Sequence, residues 1–526
     1  MTVHEASDST GAAGSMPHPS DGEGSAPPAG GTGQSTRRQF LALAGLAAFG
    51  LVVEGCAPSR IVSTTSTTSL NHGAFGPEPS AYQAPAQPSS PSPEKALTTL
   101  TADVCVVGGG AAGMMAATAA ARQGAKTILL EESYALGGNV TRGLVNFDRV
   151  AWGGCMMVAV LFEELVRDLA NQGSAVFPTA QTGYAAPCDP DALRQAAMAM
   201  AQKAGVQVRL GTTVMWAHSV DRQITSVWVR ESAVLTEIAA TVFIDCTGDG
   251  NLGFMAGHPY WLGARDTGLL QGQTLIFCAG PVDTAQLWDF AQKEGSAVED
   301  YRIVGLRSVM KDVRSAQEMV GSPQSGMLIN RNMWRDTVSI SASEYHGNHL
   351  EPGELAGIIS TLQTQDIQIH QALVDHVPGF RDSRIVRIAE RPYLREGRRL
   401  VGLYQLTVAD IRAGVKPPDS VARGYYPIDL HLASGATQTM LHKAGDWYGI
   451  PYRCLVASEL DNLLMAGRCI SVTHEALGST RISHVSTALG QAAGIAAAMA
   501  VKERVRPADV PVTALQTELL MQGALI

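Results

Sequence analysis

Residues 103–131 hold a strand, a glycine-rich turn, a helix, a second strand and an acid in unbroken succession. The apolar run at 104–107 enters Gly108-x-Gly110-x-x-Gly113, an alanine-rich helix is expected to about Gln123, and the apolar run 127–130 ends on Glu131. Each glycine has a separate physical reason. Gly108 permits the tight turn, Gly110 lets backbone approach a pyrophosphate, and Gly113 lets the helix pack against the strand. The helix start presents free N–H groups and the positive end of its dipole to phosphates. Glu131, roughly 20 residues beyond the turn, is placed to accept from a ribose 2′-OH. Taken together, these features predict a dinucleotide-binding α/β unit.

The chain has 526 residues, enough for two or three domains. Its net charge of −9, with no Lys/Arg cluster, argues against a nucleic-acid surface. Residues 1–35 are too poor in large apolar side chains to fold. Arg37 and Arg38 then precede an apolar run at 40–53, shorter than the ~20 residues that span a bilayer. With Phe40 and Leu41 the pair resembles a twin-arginine export signal, which carries proteins folded in the cytoplasm. Gly55-Cys56 resembles a lipoprotein cleavage box, although Glu54 stands where a small residue is usual. A lipidated Cys56 would attach the chain to a membrane; a soluble exported enzyme or an uncleaved anchor is the alternative. Residues 57–99 read as a Pro/Ser/Thr-rich spacer. The expected location is the periplasm or cell envelope.

Further along, helices are expected over 156–171 and from Pro190 to about Lys203, the second with Asp189 as N-cap. Short strands at 206–210, 213–219 and 224–229 suggest a crossover meander. The strand at 241–245 leads to Thr247-Gly-Asp249, and one near 462–468 leads to a helix from Ser483. The apolar stretch 486–501 contains Gln491, is too short to span a bilayer and reads as a buried helix. The cysteines beyond Cys56 form no Cys-x-x-Cys pair, so no iron–sulfur, haem or dithiol centre is expected.

These motifs resemble a family of FAD-dependent oxidoreductases in the glutathione-reductase-like, two-dinucleotide-domain superfamily. The matching pieces are the Gly108–Gly113 fingerprint with Glu131, Leu136-Gly-Gly138, Ile244-Asp-Cys-Thr-Gly-Asp249 and Arg398-Arg-Leu-Val-Gly402. To these are added Leu464-Met-Ala-Gly-Arg468, Thr473-His-Glu-Ala-Leu-Gly-Ser-Thr-Arg481 and Ala488-Leu-Gly-Gln-Ala-Ala-Gly494. The resemblance implies a Rossmann-like FAD-binding domain, a parallel sheet with a crossover β-meander, interrupted by a mixed α+β substrate domain. The expected boundaries are 100–261 and 441–505 for the FAD domain, 262–440 for the substrate domain and 506–526 for a C-terminal tail. FAD is the implied cofactor. Its expected contacts are Gly108, Gly110, Ala111, Ala112, Gly113, Glu131, Glu132, Gly137, Gly138, Thr141, Thr247, Gly248, Asp249, Gly467, Arg468, Gly490, Ala492 and Ala493. A helix N-terminus aimed at the flavin would stabilise the negative charge of its reduced form.

Flavin chemistry leaves the protein to supply orientation, a proton donor or acceptor, and electrostatics. His474 has a side chain suited to either proton role, while Arg481 and Arg398 suit an anionic group. These three are the candidate catalytic residues. Arg395, Arg398 and Arg399 with Glu390 and Glu396 read either as a grip on a carboxylate or as a solvated charge run. Trp152 beside Gly153-Gly154 reads as a packed tryptophan or a ring stacked on ligand. The expected activity is oxidation or reduction of a small organic substrate, with electrons passing to a quinone or soluble carrier because no second redox centre is encoded. The alternative is a flavin-bearing envelope protein that relays electrons or uses FAD structurally. An apolar, sealed face over the flavin would favour that alternative, and a deep pocket with His and Arg would sink it.

Overall fold

In the computed structural model the described residues are Tyr82 and 98–526, except 148–149, 153–154, 180–185, 316–323, 325, 434 and 440–445. The twin-arginine segment, Cys56, nearly all of the 57–99 spacer, Gly153, Gly154 and the side chain of Trp152 lie outside the described residues.

Strand Thr98–Val107 pairs in parallel with Thr127–Leu130 on one side and Val234–Asp245 on the other. Gln207–Arg209 extends the sheet in parallel beyond Thr127–Leu130, and Leu463–Met465 adds to Val234–Asp245. Strands Thr212–Val220 and Gln223–Glu231 complete this seven-stranded sheet as an antiparallel meander. The central strands are apolar on both faces because both are covered. Val104 and Val106 pack with helices Ala111–Arg122 and Ser483–Glu503, whereas Cys105 and Val107 pack with Ile224 and Val227 of the meander. This is the expected period-two division of a strand.

Helix Ser483–Glu503 is long and apolar enough to cross a membrane, yet 83% of its apolar window is buried inside the fold. It lies against helix Ala111–Arg122 so closely that a Cβ on Gly490 would come 2.1 Å from Ala112 O. Helix Pro190–Lys203 begins as expected, with the Asp189 side chain accepting from the Asp191 and Ala192 N–H groups. The helix expected from 156 starts instead at Leu161, because Cys155–Met156 pairs with Ala151–Trp152 as a short ribbon.

A second, six-stranded antiparallel sheet contains Ile276–Gly280, Ala297–Glu299, Arg302–Gly305, Met327–Arg331, Val338–Ser341 and Arg384–Ile388. Ile369 and Leu373 of helix Glu354–His376 pack onto its Phe277 and Ile340. This second core draws on residues from Phe277 to Phe380, a narrower span than 262–440. Leu406, Ile411, Val421 and Ile428 join the core of the first sheet instead. The 506–526 segment is likewise no loose tail: helix Val512–Met521 places Leu515 and Leu519 in that same core. The described thiols of Cys105, Cys188, Cys246, Cys278, Cys454 and Cys469 are free and buried.

Candidate active site

The fingerprint turn is built by exclusion. Gly108 has φ +98°, and a Cβ there would meet Cys246 O at 2.5 Å; a Cβ on Gly113 would meet Gly108 O at 1.7 Å. Gly110 caps the helix without a side-chain hydrogen bond, and the space where its Cβ would stand is empty to 4 Å. The first helical N–H groups are therefore left for a ligand in that opening. Glu131 is buried beside it, with Oε2 accepting from Gly109 N at 2.6 Å and Oε1 from Ser133 N at 2.9 Å. These bonds fix the carboxylate and leave lone pairs for a ribose.

A cavity of about 450 Å³ runs from this turn to the second domain. Gly108, Gly110, Ala111, Ala112, Glu131, Glu132, Gly138, Thr247, Gly248, Asp249, Gly467 and Arg468 all line it. Several expected contact residues do not. Gly113 serves helix packing, while Gly137 N bonds to Gly109 O and Thr141 Oγ1 to Leu136 O, shaping the turn from behind. Gly490, Ala492 and Ala493 are also buried away from the cavity; their small size admits helix Ala111–Arg122, not a ligand. The end of the late helix that does reach the cavity is its N-terminus, through Ser483 and Ser486.

Asp249 stands where the strand Val234–Asp245 opens into the cavity. Burial alone would raise its carboxyl, but Arg468 at 2.7 Å and His349 at 3.1 Å hold it well below the usual carboxylate range. Arg398 donates to Asn251 Oδ1 at 3.0 Å and lies 4.0 Å over the Phe254 ring. It is thus committed to the fold at the cavity wall, and the expectation of a free catalytic guanidinium there is corrected. Arg481 lines the cavity, but its Nη1 donates to Tyr393 Oη at 2.6 Å and its Nη2 to Asp429 Oδ2 at 2.9 Å. Its charge is compensated by Asp429.

His474 is placed differently from the expectation. It is buried behind the cavity wall, with Nδ1 2.9 Å from Glu396 Oε2 and Nε2 lacking a hydrogen-bond partner among the described residues. Burial would raise the Glu396 carboxyl, but Arg399 and His474 hold it down, and Gln271 N donates to it at 3.0 Å. The charged run at 390–399 is therefore not solvated as a whole. Arg399 and Glu396 pair in the interior, and Arg395 donates to Gly272 O at 2.7 Å and Thr274 Oγ1 at 2.6 Å. His431 bonds through Nδ1 to Glu344 Oε1 at 2.7 Å. The cavity residues that sequence reasoning missed include Arg391, Tyr393 and His349. The first two belong to the same charged run as Arg395; His349 carries no local signal.

A glycine turn opening an uncapped helix, an acid after the second strand and a late helix pointing its N-terminus into the same cavity define a dinucleotide-binding flavoprotein. The residues present fit FAD: the Gly110 opening admits a diphosphate, and Glu131 is positioned for the ribose. The chain belongs to the FAD dependent oxidoreductase family, whose model matches residues 103–519. It is an FAD-dependent oxidoreductase with FAD as its cofactor. Among solved structures it is similar to a geranylgeranyl bacteriochlorophyll reductase-like protein from Thermoplasma acidophilum, at 15% identity and TM-score 0.41, covering 81% of this chain and 84% of that one. It is also similar to p-nitrophenol 4-monooxygenase from Pseudomonas putida, at 10% identity and TM-score 0.42, covering 80% and 84%. The likeness to L-proline dehydrogenase from P. horikoshii is 10% identity and TM-score 0.38, covering 81% and 100%. Comparison with curated proteins returned no match. Beyond the cradle the cavity wall carries His349, Arg391, Tyr393 and Arg481 beside Leu350, Leu355 and Leu394, so it is not a wholly apolar face.

Proposed function

We propose that this chain is an exported dehydrogenase that oxidises a small organic molecule at the end of the cavity where Tyr393 and Leu394 meet Arg481 and Ser483. The observation that carries the reading is the 2.6 Å bond from Arg481 Nη1 to the Tyr393 hydroxyl, inside the cavity that also holds the FAD cradle. Bound FAD supplies two-electron redox chemistry. The phenol oxygen accepts from Arg481, so its own proton is left to point elsewhere. Positive charge from Arg481 lies beside the phenol oxygen, and Tyr393 would relay the heteroatom proton of an alcohol or amine toward solvent, its oxygen receiving that proton as its own leaves. Arg395, 5.0 Å from the Tyr393 ring centroid, adds to the same field. Asp429 offsets part of it and holds Arg481 in register. His474, fixed by Glu396, is read as a support of the loop after the strand Leu463–Met465 and not as a group in contact with substrate. Export through Arg37 and Arg38, attachment through Cys56 and transfer of electrons to a quinone or soluble carrier complete the reading.

The test is anaerobic bleaching of the purified yellow protein by a panel of alcohols, amines and acids. A substrate that bleaches wild type and is followed by quinone-dependent reoxidation supports a dehydrogenase. The Tyr393→Phe variant should retain FAD and bleach roughly 100-fold or more slowly, the usual worth of a general base. Equal rates in the two proteins would remove Tyr393 from the reaction. Reoxidation by oxygen at the quinone rate would turn the reading toward an oxidase. Retention of the Arg37→Lys, Arg38→Lys double variant in the cytoplasm, with wild type exported, tests the signal.

A further inference from the structure

Four arginines line the cavity: Arg391, Arg398, Arg468 and Arg481. Three are spoken for. Arg398 is held by Asn251 and the Phe254 ring, Arg468 by Asp249, and Arg481 by Tyr393 and Asp429. Arg391 differs. Its one ion pair among the described residues is with Glu132 at 3.6 Å, and that carboxylate is 60% exposed. Among the described residues no guanidinium hydrogen bond accompanies the pair, and none of the Arg391 nitrogens is sealed from solvent without a partner. The side chain is 25% exposed, and it lines the cavity. Its donors therefore face the open space.

That space has a charge to satisfy. The uncapped start of helix Ala111–Arg122 supplies about half a positive charge. A diphosphate diester brings about two negative ones, so a helix end alone leaves most of the charge uncompensated. The side chain that pairs with Glu132, the neighbour of the ribose-facing Glu131, reaches across the cavity mouth from the second domain to the first. Burial lowers the Arg391 pKa, and Asp249 and Glu132 only partly offset it.

From this geometry we infer that Arg391 is a cofactor-binding residue that reaches over from the second domain to clamp the diphosphate of FAD against the start of helix Ala111–Arg122. The inference rests on FAD being the cofactor and goes beyond it by making the second domain part of the cofactor site. FAD then ties the two cores together, and its loss loosens the contact between them.

The experiment compares FAD, riboflavin and ADP as ligands of the flavin-stripped full-length protein by fluorescence titration, in wild type, Arg391→Gln and Arg391→Lys. Losing a charge-assisted contact should weaken FAD and ADP by roughly 10- to 100-fold in Arg391→Gln. Riboflavin, which has no phosphate, should bind that variant as it binds wild type, and Arg391→Lys should recover part of the loss. Equal weakening of FAD and riboflavin, or unchanged FAD binding, would overturn the clamp. A second variant avoids any question of folding, because Glu132 is exposed. Glu132→Gln frees Arg391 and should tighten FAD and ADP by roughly 2- to 5-fold with riboflavin unchanged; weaker FAD binding there would also overturn it. Failure of wild type to bind FAD at all would sink the cofactor assignment itself and is distinguishable from either result.

Discussion

Replacing Gly490 with alanine should destabilise this protein even though alanine is the better helix former. The added Cβ would stand 2.1 Å from Ala112 O, 2.8 Å from Ala112 C and 2.9 Å from Ala112 Cα. All three are backbone atoms of a helix packed on the sheet, so no side chain can swing aside. Restoring ordinary contact near ~3.4 Å requires the two helices to part by roughly 1 Å. Overpacking of this kind costs about 1–3 kcal/mol, occasionally more, and the rigid obstacle places Gly490 at or above the upper end. Alanine returns about 1 kcal/mol of helix propensity, leaving a net loss of about 2 kcal/mol or more. The control is Gly357→Ala in helix Glu354–His376, where the added Cβ meets nothing within 4 Å. There the propensity gain should appear alone, as about 0.5–1 kcal/mol of added stability. Thermal and urea unfolding of the FAD-loaded proteins measure both. Ala112 and Ser486 line the cavity, so parting the helices should also speed FAD release in Gly490→Ala. A Gly490→Ala protein as stable as Gly357→Ala would refute the argument from helix approach.

Other consequences concern buried charge. Glu396→Gln leaves Arg399 in the interior without its carboxylate and should cost about 3–5 kcal/mol in urea unfolding; a change below ~1 kcal/mol would mean the pair is dispensable. Glu344 is buried, which would raise its pKa, but His346, His431 and Arg395 bring it down to about 2. Its contribution is complete above the unfolded value of about 4.3 and is lost as pH falls toward 2. The melting temperature of Glu344→Gln should accordingly fall less steeply between about pH 4.5 and about pH 2.5 than that of wild type. His484 runs at higher pH. Burial lowers it to about 3, so the folded chain keeps it neutral while the unfolded chain protonates it below about 6.5. The unfolded state then binds the extra proton, and stability drops by at most about 1.4 kcal/mol per pH unit on acidification through that window. His484→Gln should flatten the slope of unfolding free energy between roughly pH 6 and pH 5; an unaltered slope would show that His484 is protonated in the folded chain.

How much of this was legible in the sequence depended on whether a residue's constraint is local. Gly108 and Gly113 were readable because a positive φ and a 1.7 Å approach to a neighbouring carbonyl admit one residue type, and both demands arise within six positions. Asp189-Pro190 was readable for the same reason: a cap needs only the turn it caps. The small residues of the late helix were half readable. Smallness at Gly490 and Gly494 signals a close approach, but not what approaches, and the partner is helix Ala111–Arg122 instead of a ligand. The domain boundary failed similarly, since the apolar spacing of Val421 and Ile428 is the same whichever core receives them. Arginines are the limiting case. Arg391, Arg395, Arg398 and Arg399 look alike along the chain, yet three are consumed by other groups of the fold: the distant Thr274 and Asn251, and Glu396, three residues from Arg399 and buried with it. A guanidinium binds a ligand only with the donors its own fold has left it. That remainder is set by tertiary contacts, so the residue passed over in the sequence, Arg391, is the one whose charge is still available.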